Sequence, residues 1–112
     1  MKYKKVSNYE NYFVYEDGRV FSTYLNDFLK PTIDADGYYK VRLYNNGKQK
    51  QFLISRLVAK AFIPNPNKFP MVNHINLDRL DNRVSNLEWI NNIGNINHAI
   101  ENGVQMGKPK KV

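Results

Sequence analysis

The residues of this chain that could do chemistry crowd into its last third. Nine of its 16 Asn and both of its His lie between Asn73 and Asn102. Asn73 and His74 are adjacent, Asn86 heads the stretch Asn86-Leu87-Glu88-Trp89, and Asn95 and His98 follow three apart. An imidazole exchanges a proton near neutral pH. An Asn side-chain oxygen can ligate a hard cation such as Mg²⁺ or Mn²⁺, or its amide can brace a loop. Each type also has a plainer use. A lone His on a strand is most often structural or solvated, and Asn is an ordinary residue of turns and helix starts.

The elements that carry these residues decide between the two. Met71 to Ile75 reads as a strand, and residues 76–85 as a polar, turn-rich loop. Leu87 to Ile90 reads as a second strand, with Trp89 as a core anchor. A helix is predicted from about Asn92 to Asn102, burying Ile93, Ile96 and Ile100 and ending at Asn102-Gly103. This ββα unit puts Asn73 and His74 in its first strand, Asn86 just before its second and Asn95 in the first helical turn. Upstream, two β-prone runs flank Asp17-Gly18, a hairpin signal. Tyr38 to Tyr44 alternates, with Tyr39, Val41 and Leu43 on one face and Lys40 and Arg42 on the other. Asn46-Gly47 turns the chain back into Lys48 to Leu53, so Lys40, Arg42, Lys48 and Lys50 lie on one ribbon, and several are expected to share a face. A short helix follows, with Ser55 as its predicted N-cap, Leu57, Val58, Ala61 and Phe62 as its apolar stripe, and Arg56 and Lys60 opposite. Pro64-Asn65-Pro66-Asn67 ends it. The expected class is α+β: a β module over residues 1–53, a connecting helix and Pro/Asn linker over 54–69, the ββα unit over 70–103 and a basic tail over 104–112.

Composition narrows the function classes. At 112 residues with no Cys, the chain has no disulfide framework, thiolate metal site or cysteine nucleophile. It contains no apolar run of the ~18 residues a membrane span needs, and its basic start lacks the apolar core of a signal peptide. A reducing, cytoplasmic location is expected. The formal charge is +7. Residues 37–77 supply all of it, through Lys40, Arg42, Lys48, Lys50, Arg56, Lys60 and Lys68 with no acid between them. Such a stretch is either a phosphate footprint or a solvated face. All eight Tyr lie at or before Tyr44, as a half-buried sheet would use them.

Taken in order, these motifs resemble the HNH endonuclease family, in its phage-borne and intron-borne homing branch. The matching stretches are Val72-Asn73-His74-Ile75-Asn76, Leu80-Asp81-Asn82-Arg83, Asn86-Leu87-Glu88-Trp89 and Gly94-Asn95-Ile96-Asn97-His98-Ala99. The stretches 54–64 and 12–22 resemble the helix and the small β module that precede the motif in that branch. The resemblance implies a ββα-metal (His-Me finger) fold that hydrolyses double-stranded DNA with one divalent metal ion, Mg²⁺ or Mn²⁺, leaving 5′-phosphate and 3′-hydroxyl ends. It implies that His74 is the general base, that Asn73 and Asn95 supply oxygens to the metal, and that Asn86 braces the loop and orients His74. Lys40, Arg42, Lys48, Lys50, Arg56, Lys60, Arg83 and His98 are then the DNA-contact candidates, with a salt bridge to Asp81 or Glu88 as the alternative for Arg83. A single site cuts one strand, so a double-strand break would need a homodimer. The setting implied is a bacterial host cell, with the gene carried by a phage.

The sequence departs from the family at Asn73, where Asp or His is common, so two neutral amides face the metal and only Asp78 or Asp81 could compensate. That departure keeps a rival reading open, an inactive HNH fold that binds DNA without cutting it. A second departure is the absence of further helical DNA-binding modules after the ββα unit.

Overall fold

The computed structural model describes residues 1–91. The predicted helix at 92–102, its Ile stripe, Asn95, His98 and the basic tail lie outside the described residues. Nine strands and one helix appear among those described. A four-stranded antiparallel sheet holds β1 (Tyr3–Val6), β2 (Tyr9–Tyr15), β3 (Val20–Ser22) and β4 (Asp27–Phe28) in that order. A second sheet runs β5 (Thr32–Ile33), β6 (Tyr39–Asn45), β7 (Lys48–Leu53), and leads into α1 (Ile54–Phe62). After the Pro/Asn segment come β8 (Met71–His74), a 3₁₀ turn (Val84–Asn86) and β9 (Leu87–Ile90), paired as a two-stranded ribbon.

Turn chemistry explains the hairpins. Asp17-Gly18 closes β2 against β3, with Gly18 at φ +94° and its N–H donating to the Tyr15 carbonyl at 2.9 Å. Asn46 and Gly47 both take positive φ, 53° and 78°, between the paired residues Asn45 and Lys48. That is the two-residue turn whose twist matches a hairpin. A third hairpin, β1 to β2, turns at Asn8 with φ 67°, in a stretch of the β module to which the sequence assigned no element. Two Lys on the exposed edge strand and a turn without Gly hide it.

The helix corrects one expectation. Its N-cap is Leu53, which has no side chain to cap with, while Ser55 lies inside the first turn and is buried. Strand β7 runs straight into α1, leaving no loop in which a capping Ser could sit. α1 touches β1, β2, β6, β7, β8 and β9, so its apolar surface is wider than one stripe: Ala59 is fully buried beside Val58. One core cluster joins Val14 and Val20 of the first sheet, Leu43 of the second, Val58 of α1, and Val72 and Leu87 of the β8–β9 ribbon. It therefore takes residues from both sides of the 64–69 segment. Trp89 ties the ribbon to the end of α1, its indole N–H donating to the Ile63 carbonyl at 3.0 Å. No helix among the described residues is long and apolar enough to cross a membrane.

Candidate functional site

Asn73 and His74 end β8, and each is only 1% exposed. Neighbours on a strand point to opposite faces, so the two side chains meet different partners. Asn73 pairs across the ribbon with Glu88, and its amide N–H donates to Glu88 Oε1 at 3.3 Å. A carboxylate only accepts, which fixes the amide's orientation. The Asn73 Oδ1 oxygen is left buried with no hydrogen-bond partner among the described residues.

His74 shows the same half-satisfied pattern. Its Nε2 lies 2.8 Å from Asn82 Oδ1 in a buried contact, and its Nδ1 is buried without a partner among the described residues. An amide oxygen only accepts, so this pairing calls for the proton on Nε2 and the lone pair on Nδ1. The Tyr38 ring covers the imidazole, with centroids 5.8 Å apart. The two rings are tilted by 35°, and the Arg79 guanidinium lies over the Tyr38 ring, 5.1 Å from its centroid. Burial is the main influence on the imidazole and pushes its pKa below the usual 6.5, with the Asn82 hydrogen bond opposing it. Burial thus favours the neutral imidazole.

The loop between the strands is knitted by amides. Asn86 accepts from the Asn76 backbone N–H at 3.0 Å and donates to Asn76 Oδ1 at 3.0 Å and the Asp81 carbonyl at 2.9 Å. It braces the loop as the family pattern implies, but the amide that touches His74 is Asn82, which the sequence analysis did not single out. Asp81 is gripped by Arg83, at 2.8 and 2.7 Å, and by the Asn76 amide. The Arg83 hydrogen bond holds that carboxyl well below the usual carboxylate range. Asp78 accepts the Leu80 N–H at 3.0 Å within its own turn. Among the described residues no three His, Cys, Asp or Glu gather as a metal site. The donor that fits a hard cation is the orphaned Asn73 Oδ1, an amide oxygen of the kind Mg²⁺ and Ca²⁺ accept.

No protein-family model matches the chain. Curated relatives do. The uncharacterized HNH endonuclease L245 of Acanthamoeba polyphaga mimivirus is 46% identical over 96 residues, which span 86% of this chain and 29% of that protein. The DNA endonuclease I-HmuI of Bacillus phage SP01 is 31% identical over 104 residues, 92% of this chain and 60% of its own length. A solved structure, "DNA binding and cleavage by the HNH homing endonuclease I-HmuI", superposes with a TM-score of 0.86 at 31% identity, covering 94% of this chain and 61% of that one. This chain belongs to the HNH endonuclease family. It therefore spans less than two thirds of the length of these HNH relatives.

The basic residues of the HNH chain do not form one surface. Because the Asn46-Gly47 turn pairs Asn45 with Lys48, Leu43 faces Lys50 and Arg42 faces Gln51. Cross-strand partners share a face. Lys40 and Arg42 thus share one side of the ribbon and Lys48 and Lys50 the other, so the four fall into two pairs and not one face. Lys40 and Arg42 line a groove with Lys30, Asp27 and Gln51. Lys50 lines a second groove, of about 820 Å³, with Lys4, Lys5, Arg56 and Lys60 and no acid among the described residues. Lys4 and Lys5 had no signal in the charge count, because acids elsewhere in residues 1–36 cancel them. Arg56 is anchored as well, donating to the Pro70 carbonyl at 2.8 Å with its guanidinium 5.6 Å from the Trp89 ring.

Proposed function

We propose that this chain is the nuclease portion of an HNH endonuclease that hydrolyses phosphodiester bonds of double-stranded DNA, with His74 as general base. The observation that carries the reading is the pair of orphaned atoms on adjacent residues, His74 Nδ1 and Asn73 Oδ1. Native proteins rarely bury a polar atom without a partner, and such atoms need a reason. A base awaiting a water, beside an oxygen awaiting a cation, is a reason for both.

Nδ1 would take a proton from the water whose oxygen attacks phosphorus; the P–O3′ bond breaks and O3′ takes a proton from solvent water, leaving 5′-phosphate and 3′-hydroxyl ends. Asn73, with Asn95 beyond the described residues, would hold one Mg²⁺ or Mn²⁺, which supplies charge stabilisation to the pentacoordinate transition state and the leaving oxygen. I-HmuI is named for DNA binding and cleavage, and DNA is the partner proposed here. Relatives come from phages and a mimivirus, so action on DNA in an infected cell is part of the same proposal. One site cuts one strand; a double-strand break would need a second copy. The division into a DNA-contacting β module, linker and nuclease unit is proposed on the same footing.

The decisive experiment is supercoiled plasmid incubated with the chain and Mg²⁺, Mn²⁺ or EDTA. Relaxation to nicked circles is expected with either metal and none with EDTA. DNA binding without cleavage under every metal would favour the rival, an inactive HNH module, which the neutral amides at both ligand positions support.

The footprint is testable too. Tyr38, one residue before β6, covers His74, and alternation places Lys40 and Arg42 on its side of the strand. The duplex backbone is proposed to run along that face. Replacing both with Gln should lower the slope of log affinity against log salt by about 1.8, two phosphate contacts at about 0.9 each. The Lys48→Gln/Lys50→Gln pair should lower it less. Equal slopes in filter-binding titrations would refute this placement.

A further inference from the structure

We propose that Asn82 is a positioning residue that selects Nδ1 of His74 as the basic nitrogen, and that the β2–β3 turn of the N-terminal module holds Asn82 in place. The proposal rests on the nuclease reading for its catalytic consequence, but not for its geometry.

A neutral imidazole has two tautomers, and in water they interconvert freely. His74 is cut off from water, so its neighbours decide. With Asn82 Oδ1 2.8 Å from Nε2, the Nε2–H form makes a hydrogen bond. The other form would need the Asn82 amide to turn and present its N–H, and it would still bury an Nδ1–H with no acceptor among the described residues. The lone pair is therefore kept on the atom that has no protein partner.

Asn82 is itself 5% exposed and sits in a loop, so something must stop it drifting from the ring. Gly18 lies against it. A Cβ at Gly18 would stand 3.0 Å from Asn82 Cβ and 3.4 Å from the Asn82 carbonyl oxygen. Two residues before Gly18, the Glu16 carbonyl accepts the Val84 N–H at 2.9 Å. The turn thus clamps the loop on both sides of Arg83, and only Gly, at φ +94°, permits the approach. The β module then helps to build the site besides contacting DNA.

The test is the full chain labelled with ¹⁵N-histidine. Two-bond ¹H–¹⁵N correlation spectra report each tautomer, with His98→Gln assigning the signals. Wild type should show His74 as the Nε2–H form alone. Asn82→Ala should give a tautomer mixture, and kcat for plasmid nicking should fall about 10–100-fold at unchanged KM. Asn82→Asp keeps the acceptor and should retain the Nε2–H form. Gly18→Ala, which leaves the Asn82 amide in the chain but displaces it, should shift the same signals. A single Nε2–H species in Asn82→Ala overturns the proposal, as does a mixture in wild type. If wild type cuts no DNA while Asn82→Ala still loses its tautomer, the positioning role stands and the nuclease reading falls.

Discussion

Replacing His74 with Ala is expected to reduce DNA nicking by about 10²–10⁴-fold, the range a positioned general base contributes, while leaving DNA affinity within about twofold. The His74 ring lies beneath Tyr38 and touches Asn82, so the lesion is local and the basic faces of the ribbon remain. The same residue sets the acid limb of the pH profile. A base must be unprotonated, so the rate climbs as pH rises through the folded pKa and is flat above it. Burial lowers that pKa from 6.5, which moves the half-maximal rate to below pH 6.5. Linkage has the same sign. The unfolded chain binds a proton at His74 more readily than the native one, so stability from the neutral, buried ring is complete above pH 6.5 and is lost as pH falls. A nicking rate that rises only above pH 7, in buffers of constant ionic strength, would remove His74 as the base.

The parts legible in the sequence were those written in local chemistry. Asn46-Gly47 and Asp17-Gly18 name their turns because few other residues take the positive φ those turns require. The alternation of Val41 and Leu43 with Lys40 and Arg42 names the buried face of β6. Even the division of the basic residues between two faces was available, since a two-residue turn that sets Asn45 opposite Lys48 fixes every pair behind it. Other features had no local signal. Ser55 looks like a cap, but a helix that grows directly from a strand has no place for one. Asn82 looks like one turn residue among many Asn. What makes it different is Gly18, distant in sequence and against it in space, and no window of the sequence holds both. The Glu88 contact that orients Asn73 is likewise a product of β8–β9 register.

That contact leads to the second large effect. Asn73→Ala removes the orphaned oxygen and should lower nicking about 10²-fold, with partial recovery at raised Mn²⁺ concentration. Asn73→Asp is the more informative change. It places a carboxylate where Asp is common in the family, and charge count is what tunes oxygen sites for divalent cations. In this chain it also sets a second carboxylate against Glu88, across a contact of 3.3 Å, where the amide now donates. Two carboxylates that close cannot both ionise without a cation or a shared proton. The single variant should therefore fold less stably in EDTA and regain Tm as Mn²⁺ is added, because binding to the native state alone stabilises it. Pairing Asn73→Asp with Glu88→Gln restores a donor opposite the new carboxylate. The double variant should bind Mn²⁺ about tenfold more tightly than the parent in a calorimetric or electron paramagnetic resonance titration. Unchanged Mn²⁺ affinity in the double variant would mean that position 73 does not face the cation. His74 would then stand as a base without the metal its neighbour is proposed to hold.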